Sequence, residues 1–92
     1  MKLITFEQVR GMGPFVSAEV QVSLQNRKSK LYLFRADGSY VYVEFDIPLG
    51  TESVGHEVME MMMACKDLEL LNDAAVVKIL DLDTLGQQGL VQ

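Results

Sequence analysis

His56-Glu57-Val58-Met59-Glu60 opens like the metal-gripping pattern His-Glu-x-x-His, which works because two imidazoles one helical turn apart hold one ion. The second imidazole position is Glu60, and His56 is the chain's only histidine. Glu52, His56 and Glu60 share a helical face, so a carboxylate–imidazole cation site can be drawn. Zinc sites, however, usually take three or more protein ligands, and a solvated helix face asks for less. Cys65, also the only one of its kind, lies nine residues from His56 and on a different stripe. That spacing argues against a Cys–His nucleophile pair and for a buried, inert thiol.

Two further stretches invite chemistry. Gly11-Met12-Gly13-Pro14 has the first glycines of a phosphate-binding loop, but the third is missing and Pro14 removes an amide donor. Asp81-Leu82-Asp83-Thr84, after an apolar run, resembles the Asp-x-Asp of haloacid-dehalogenase-type phosphatases. In that family one more residue precedes the Thr or Val, whereas here Thr84 follows at once. A chain of 92 residues also has no room for the rest of such a domain, so the match reads as chance. Two carboxylates are likewise an incomplete set for a hard cation. No catalytic residue, metal ligand or cofactor site is therefore expected, and the chain reads as a non-enzyme.

Length and composition frame what remains. Ninety-two residues, 49% of them apolar, suit one domain (1–92) able to fold alone with little margin. No apolar run approaches the roughly 20 residues of a membrane-spanning helix. The start, MKLITFEQ, is too short in its apolar part for a signal peptide. With a single cysteine, these features favour the cytoplasm. Net charge is −5, unevenly distributed. Residues 1–36 carry six Lys/Arg against two acids, and residues 37–92 carry eleven acids against Lys66 and Lys78. Direct nucleic-acid binding is not expected at that balance.

The element that organises the chain is Leu31–Asp46, LYLFRADGSYVYVEFD. Two β-branched and aromatic runs flank Asp37-Gly38, a strong hairpin signal. A two-residue type I′ turn there sets Phe34 opposite Val41 and Leu33 opposite Tyr42. One face then carries Tyr32, Phe34, Val41, Val43 and Phe45, and is expected to be core. The other carries Leu31, Leu33, Arg35, Tyr40, Tyr42 and Glu44, and is too apolar to be simply wet.

Around the hairpin, Lys2–Phe6 reads as an edge strand, or, since Thr5 and Gln8 fit a capping box, as a helical turn through Val9. Phe15–Gln25 alternates strictly, with Val16, Ala18, Val20, Val22 and Leu24 on the dry side. Residues 26–30 form a polar connector. An odd loop supports the core face just named, and an even loop reverses it; the odd loop is preferred. Arg27, Lys28 and Lys30 read as a solvated tip. A helix capped by Thr51 or Ser53 runs to about Leu68, with Val54, Val58, Met61, Met62, Cys65 and Leu68 as its packed stripe and Met59 and Met63 outside it. Val76–Asp83 reads as a last strand buried on both sides or as a short helix capped by Asn72 or Asp73, the strand being preferred, and residues 84–92 as a loose tail. The fold expected is α+β: an antiparallel meander of three to five strands, one main helix on one face and a C-terminal strand.

The function these elements point to is a small acidic interaction protein, forming a homodimer or binding another protein through Leu31, Leu33, Arg35, Tyr40, Tyr42, Met59 and Met63. Two alternatives belong to other classes. One is an acidic, nucleic-acid-mimicking inhibitor of phage or mobile-element type, using Glu52, Glu57, Glu60, Asp67, Glu69 and Asp73. The other is a small-molecule or metal-binding domain.

Overall fold

The computed structural model describes residues 5–84. Their elements are α1 (Phe6–Val9), β1 (Phe15–Ser23), β2 (Lys28–Phe34), β3 (Tyr40–Asp46), α2 (Val54–Asp67) and β4 (Leu71–Asp81). The fold is α+β, as the alternation of patterns predicts. Its four strands lie in the order β3-β2-β1-β4. β1–β2 and β2–β3 are antiparallel, but β4 runs parallel to β1. The sheet is therefore mixed rather than a pure meander. A parallel neighbour needs a crossover connection, and α2 supplies it.

Both hairpin turns differ from expectation, and together they decide the faces. In the β2–β3 turn only Gly38 takes positive φ (88°), whereas a type I′ turn needs it at two positions. Gly38 N donates to Arg35 O (3.0 Å) and Arg35 N to Ser39 O (2.9 Å). The loop is thus the three residues 36–38, with Gly38 in the bulge position. Asp37 holds this form by accepting from Ser39 N (2.9 Å) and Ser39 Oγ (2.7 Å). Phe34 consequently pairs with Tyr40, Leu33 with Val41 and Leu31 with Val43. The first hairpin pairs Ser23 with Lys28, leaving an even loop of four residues, 24–27.

One face of the sheet therefore carries Ala18, Val20, Val22, Leu31, Leu33, Val41 and Val43. All are buried, and Met61 and Cys65 of α2 pack with them in one core. Val54, Val58, Met62 and Leu68 also line it, so the stripe read from the 3.6-residue period is the packed one. Tyr32 and Phe34, expected inside, lie on the opposite face.

The termini of the elements follow local chemistry. From Thr5 the chain forms the capping-box turn, with Thr5 and Gln8 exchanging side-chain and backbone bonds, rather than an edge strand; residues 1–4 lie outside the described residues. Ser53 caps α2 through His56 N. At the other end, Glu69 adopts φ 55°. Glu69 N donates to Lys66 O and Leu70 N to Cys65 O, closing the helix in a Schellman motif. β4 begins at Leu71, earlier than expected, and is an edge strand. Val76 and Ile79 stand 69% and 50% exposed, so it is not buried on both sides. Of the predicted loose tail, residues 85–92 lie outside the described residues.

Arg27 is not a solvated tip. Its guanidinium donates to the carbonyls of Thr51 (2.9 Å) and Pro48, and its own carbonyl accepts from Ile47 N (3.0 Å). It ties the first hairpin to the β3–α2 connection. Lys28 and Lys30 form cross-strand pairs with Asp46 and with Glu44 (3.6 Å).

Candidate interaction surface

The sheet face opposite the core is built by Ser17, Glu19 and Gln21 of β1 and the even residues of β2, β3 and β4; the register shift between Phe15 and Ser17 sends Phe15 to the core. In the register observed, Lys78, Glu19, Tyr32 and Tyr42 form one row across the four strands, and Val76, Ser17, Phe34 and Tyr40 the next. The helix contributes its buried residues to the other face.

The rings form one connected cluster. Tyr32 and Tyr42 stack with centroids 5.2 Å apart and planes at 24°. Tyr40 lies 5.8 Å from Tyr32 and 5.3 Å from Phe34, both tilted. These are favoured aromatic geometries, offset or inclined rather than face to face. All four rings are half-buried, and Val76 extends the apolar row to the β4 edge. Lys30 reaches over the Tyr42 ring at 5.7 Å while pairing with Glu44. Beside Tyr32, Gln21 Nε2 donates to Glu19 Oε2 at 2.6 Å.

The charges on this face balance. Lys28, Lys30 and Lys78 stand against Glu19, Glu44 and Asp46 in the observed register. A neutral, ring-rich face thus sits on a chain of net charge −5.

The seven residues expected to form a surface do not come together. Tyr40 and Tyr42 lie on the open face. Leu31 and Leu33 are fully buried, which corrects their expected place beside the tyrosines; the register shift carries them to the core. Arg35 follows Leu33 to the core side. Its guanidinium stacks 5.3 Å from the ring of buried Phe15. Met59 and Met63 are 63% and 57% exposed, but on the outer side of a helix that packs against the other face. Tyr32 and Phe34, expected in the core, are the residues of the open face that the sequence does not place there. The signal for them is chemical: three tyrosines and a phenylalanine at positions 32, 34, 40 and 42 make one same-face set once the turn is three residues long.

The chemistry-bearing residues resolve differently. Cys65 is 1% exposed, and burial pushes its thiol up to about 11, so it offers little thiolate near neutral pH. His56 Nε2 lies 3.3 Å from Glu60. Asp81 caps the turn that follows β4, accepting from Thr84 N and Oγ1. Asp83 reaches back to the first hairpin, accepting from Ser23 Oγ (2.7 Å) and Gln25 N (3.1 Å). Among the described residues no group of three or more His, Cys, Asp or Glu could hold a metal ion. No described helix is long and apolar enough to cross a membrane. Glu57, one of the six acids of the charge-mimic reading, is buried and bonded to Ser29, so that set does not share one surface.

No family model, curated protein or solved structure matches the chain.

Proposed function

We propose that the chain is a non-catalytic interaction protein that works through the open face of its sheet, and that the partner on that face is a second copy. One observation carries the reading: four clustered rings, Tyr32, Phe34, Tyr40 and Tyr42, on a face to which no described element contributes a core residue. Contiguous apolar surface of this kind tends to mark interfaces. Tyrosine in particular supplies contact area at low entropic cost. Charge favours self-association. Each face bears three bases and three acids, so two copies related by a two-fold axis can match opposite signs.

The size of the face sets the strength. Four strands about 4.8 Å apart and seven residues long at about 3.3 Å each give roughly 450 Å² per copy. That is near the low end for specific association, so the dimer should come apart on dilution. Molar mass by light scattering over a dilution series, at low and high salt, tests this. The expected outcome is a salt-tolerant monomer–dimer equilibrium, shifted to monomer by Tyr42→Glu or Tyr32→Lys with the fold intact. A monomer at every concentration, or a dimer indifferent to both substitutions, overturns the self-association reading.

A further inference from the structure

We propose that the two-fold axis of the self-associated pair runs lengthwise between β2 and β3, so that β3 of each copy lies over β2 of its partner. This geometry rests on the self-association reading and fixes which residues meet within it.

The two strands present complementary columns to the open side. From its start to its end, β3 carries Tyr40, Tyr42, Glu44 and Asp46. In the observed register β2 sets Phe34, Tyr32, Lys30 and Lys28 beside them. Each row therefore holds either two rings or one acid and one base. Lys28 already pairs with Asp46 and Lys30 with Glu44 inside the chain. An axis between the columns exchanges them. Every ring of one copy then lies over a ring of the other, and every carboxylate over an ammonium. The charges alternate in sign through the contact, which gives the self-complementarity an isologous interface needs.

Other placements of the axis fail on charge. Sheets packed face to face keep their strands within about 30° of each other, so the axis must run nearly along the strands or nearly across them. Running across, it folds each column back on itself. Asp46 and Glu44 then lie over the partner's acids or over its Tyr40 and Tyr42. A ring face carries the negative part of its quadrupole, so neither position suits a carboxylate. Centred along β2 or along β3, the axis sets like charges over each other. Between β2 and β1 it covers all four strands but places Glu44 over Leu80, which shares its row through Lys30 and Gln21. A carboxylate loses water there and meets no donor from the partner. Glu19 and Lys78 need no second copy, because they are neighbours across the β1–β4 ladder.

The overlap is about half of the open face, roughly 220 Å² per copy for two strands of seven residues. That size belongs with transient contacts, so rings and alternating charge carry the association rather than area. Val76, 69% exposed, stays outside it.

Sedimentation equilibrium on the full chain tests the arrangement. Tyr42→Glu should weaken the dimer, whereas Val76→Lys should change its dissociation constant by no more than about two-fold. Lys28→Glu with Lys30→Glu leaves only acids at the charged end of both columns, and Glu44→Lys with Asp46→Lys leaves only bases. Each double variant alone should dimerise at least about ten-fold more weakly than the parent. An equimolar mixture of the two should recover association as a heterodimer and lose it in high salt. Isotope-filtered nuclear magnetic resonance on mixed labelled and unlabelled parent chain should place Tyr42 of one copy against Tyr32 of the other, with no partner ring against the methyls of Val76 or Leu80; this holds as the test if a double variant fails to fold. Partner rings in contact with Val76, weakening by Val76→Lys equal to that of Tyr42→Glu, or folded double variants that stay apart when mixed overturns this geometry and leaves the open-face dimer standing. A dimer that ignores Tyr42→Glu, or a monomer at every concentration, overturns both.

Discussion

Tyr32 and Tyr42 are direct partners across the β2–β3 ladder, and their rings stack at 5.2 Å. Such pairs add about 0.5–1.5 kcal/mol beyond their area of contact. A double-mutant cycle with Tyr32→Ala and Tyr42→Ala, read from urea denaturation at concentrations where the chain is monomeric, should return a coupling in that range. Coupling near zero would mean that the two rings do not meet in solution. Working dilute matters, because a dimer joined through the same rings would enlarge the apparent coupling by mass action.

Leu33 tests the face assignment directly. It is fully buried opposite Val41, so Leu33→Ala should cost about 2–5 kcal/mol and Leu33→Lys should not give a folded protein. Circular dichroism melts of both variants decide it. A folded, near-native Leu33→Lys would return the leucine to the surface.

That assignment also marks how much of the structure could be read from residues alone. The alternation of β1 and the helical stripe of α2 are hydrophobic periods, and each marks its element and its dry side, except at the start of β1, where a register shift between Phe15 and Ser17 buries Phe15 and leaves Val16, expected on the dry side, 38% exposed. Faces of β2 and β3 depended instead on two loop lengths. Asp37-Gly38 fits a two-residue turn and a three-residue turn with a bulge equally well by composition. What separates them is the Asp37 side chain accepting from Ser39, a three-dimensional detail. Residues 31–34, Leu-Tyr-Leu-Phe, are apolar on both sides, so no polar position announced the error. The parallel placement of β4 was equally hidden, because strand direction depends on where α2 carries the chain. Glu57 belongs to the acid set of the charge-mimic alternative, which needs it at the surface, and nothing in its neighbours' types signals that Ser29 lies across from it.

Ser29 and Glu57 form a buried polar pair at 2.6 Å, with exposures of 1% and 6%. Removing the hydroxyl leaves the carboxylate without its donor, at a cost of about 1–3 kcal/mol. Ser29→Ala should therefore lower the urea midpoint by more than Glu57→Gln, which retains an acceptor for the hydroxyl. The reverse order would show that the pair does not form in solution.

Backbone geometry on either side of Leu70 predicts two changes of opposite sign. A Cβ on Gly13 would stand 2.8 Å from Leu70 O and 3.0 Å from Leu70 Cα, and that carbonyl also accepts from Phe15 N. The neighbour is backbone in a buried position and cannot turn away, so Gly13→Ala should destabilise by about 1–3 kcal/mol. Glu69, at φ 55°, occupies the helix-closing position that glycine fills best. Glu69→Gly should raise stability by about 0.5–1 kcal/mol. Thermal melts of the two variants should move in opposite directions from the parent.

Acid sensitivity should reside partly in Asp83. The Ser23 hydroxyl, and after it the Gln25 amide, hold its carboxyl below the ordinary 3.8, and Ser39 does the same for Asp37. A carboxylate whose pKa is lower folded than unfolded contributes its full stabilisation above the unfolded value. It loses that contribution as pH falls through the folded one. Asp83→Asn should thus melt earlier than the parent near neutral pH, and the difference should shrink as pH drops below 3.8. Ser23→Ala removes the principal donor and should reproduce the trend with Asp83 still present. Melting temperatures recorded from neutral pH down into the acid limb provide the check. If the gap between parent and Asp83→Asn stays constant through that range, the contact from Asp83 to the first hairpin does not form in solution, and the end of β4 is held to that hairpin by other means.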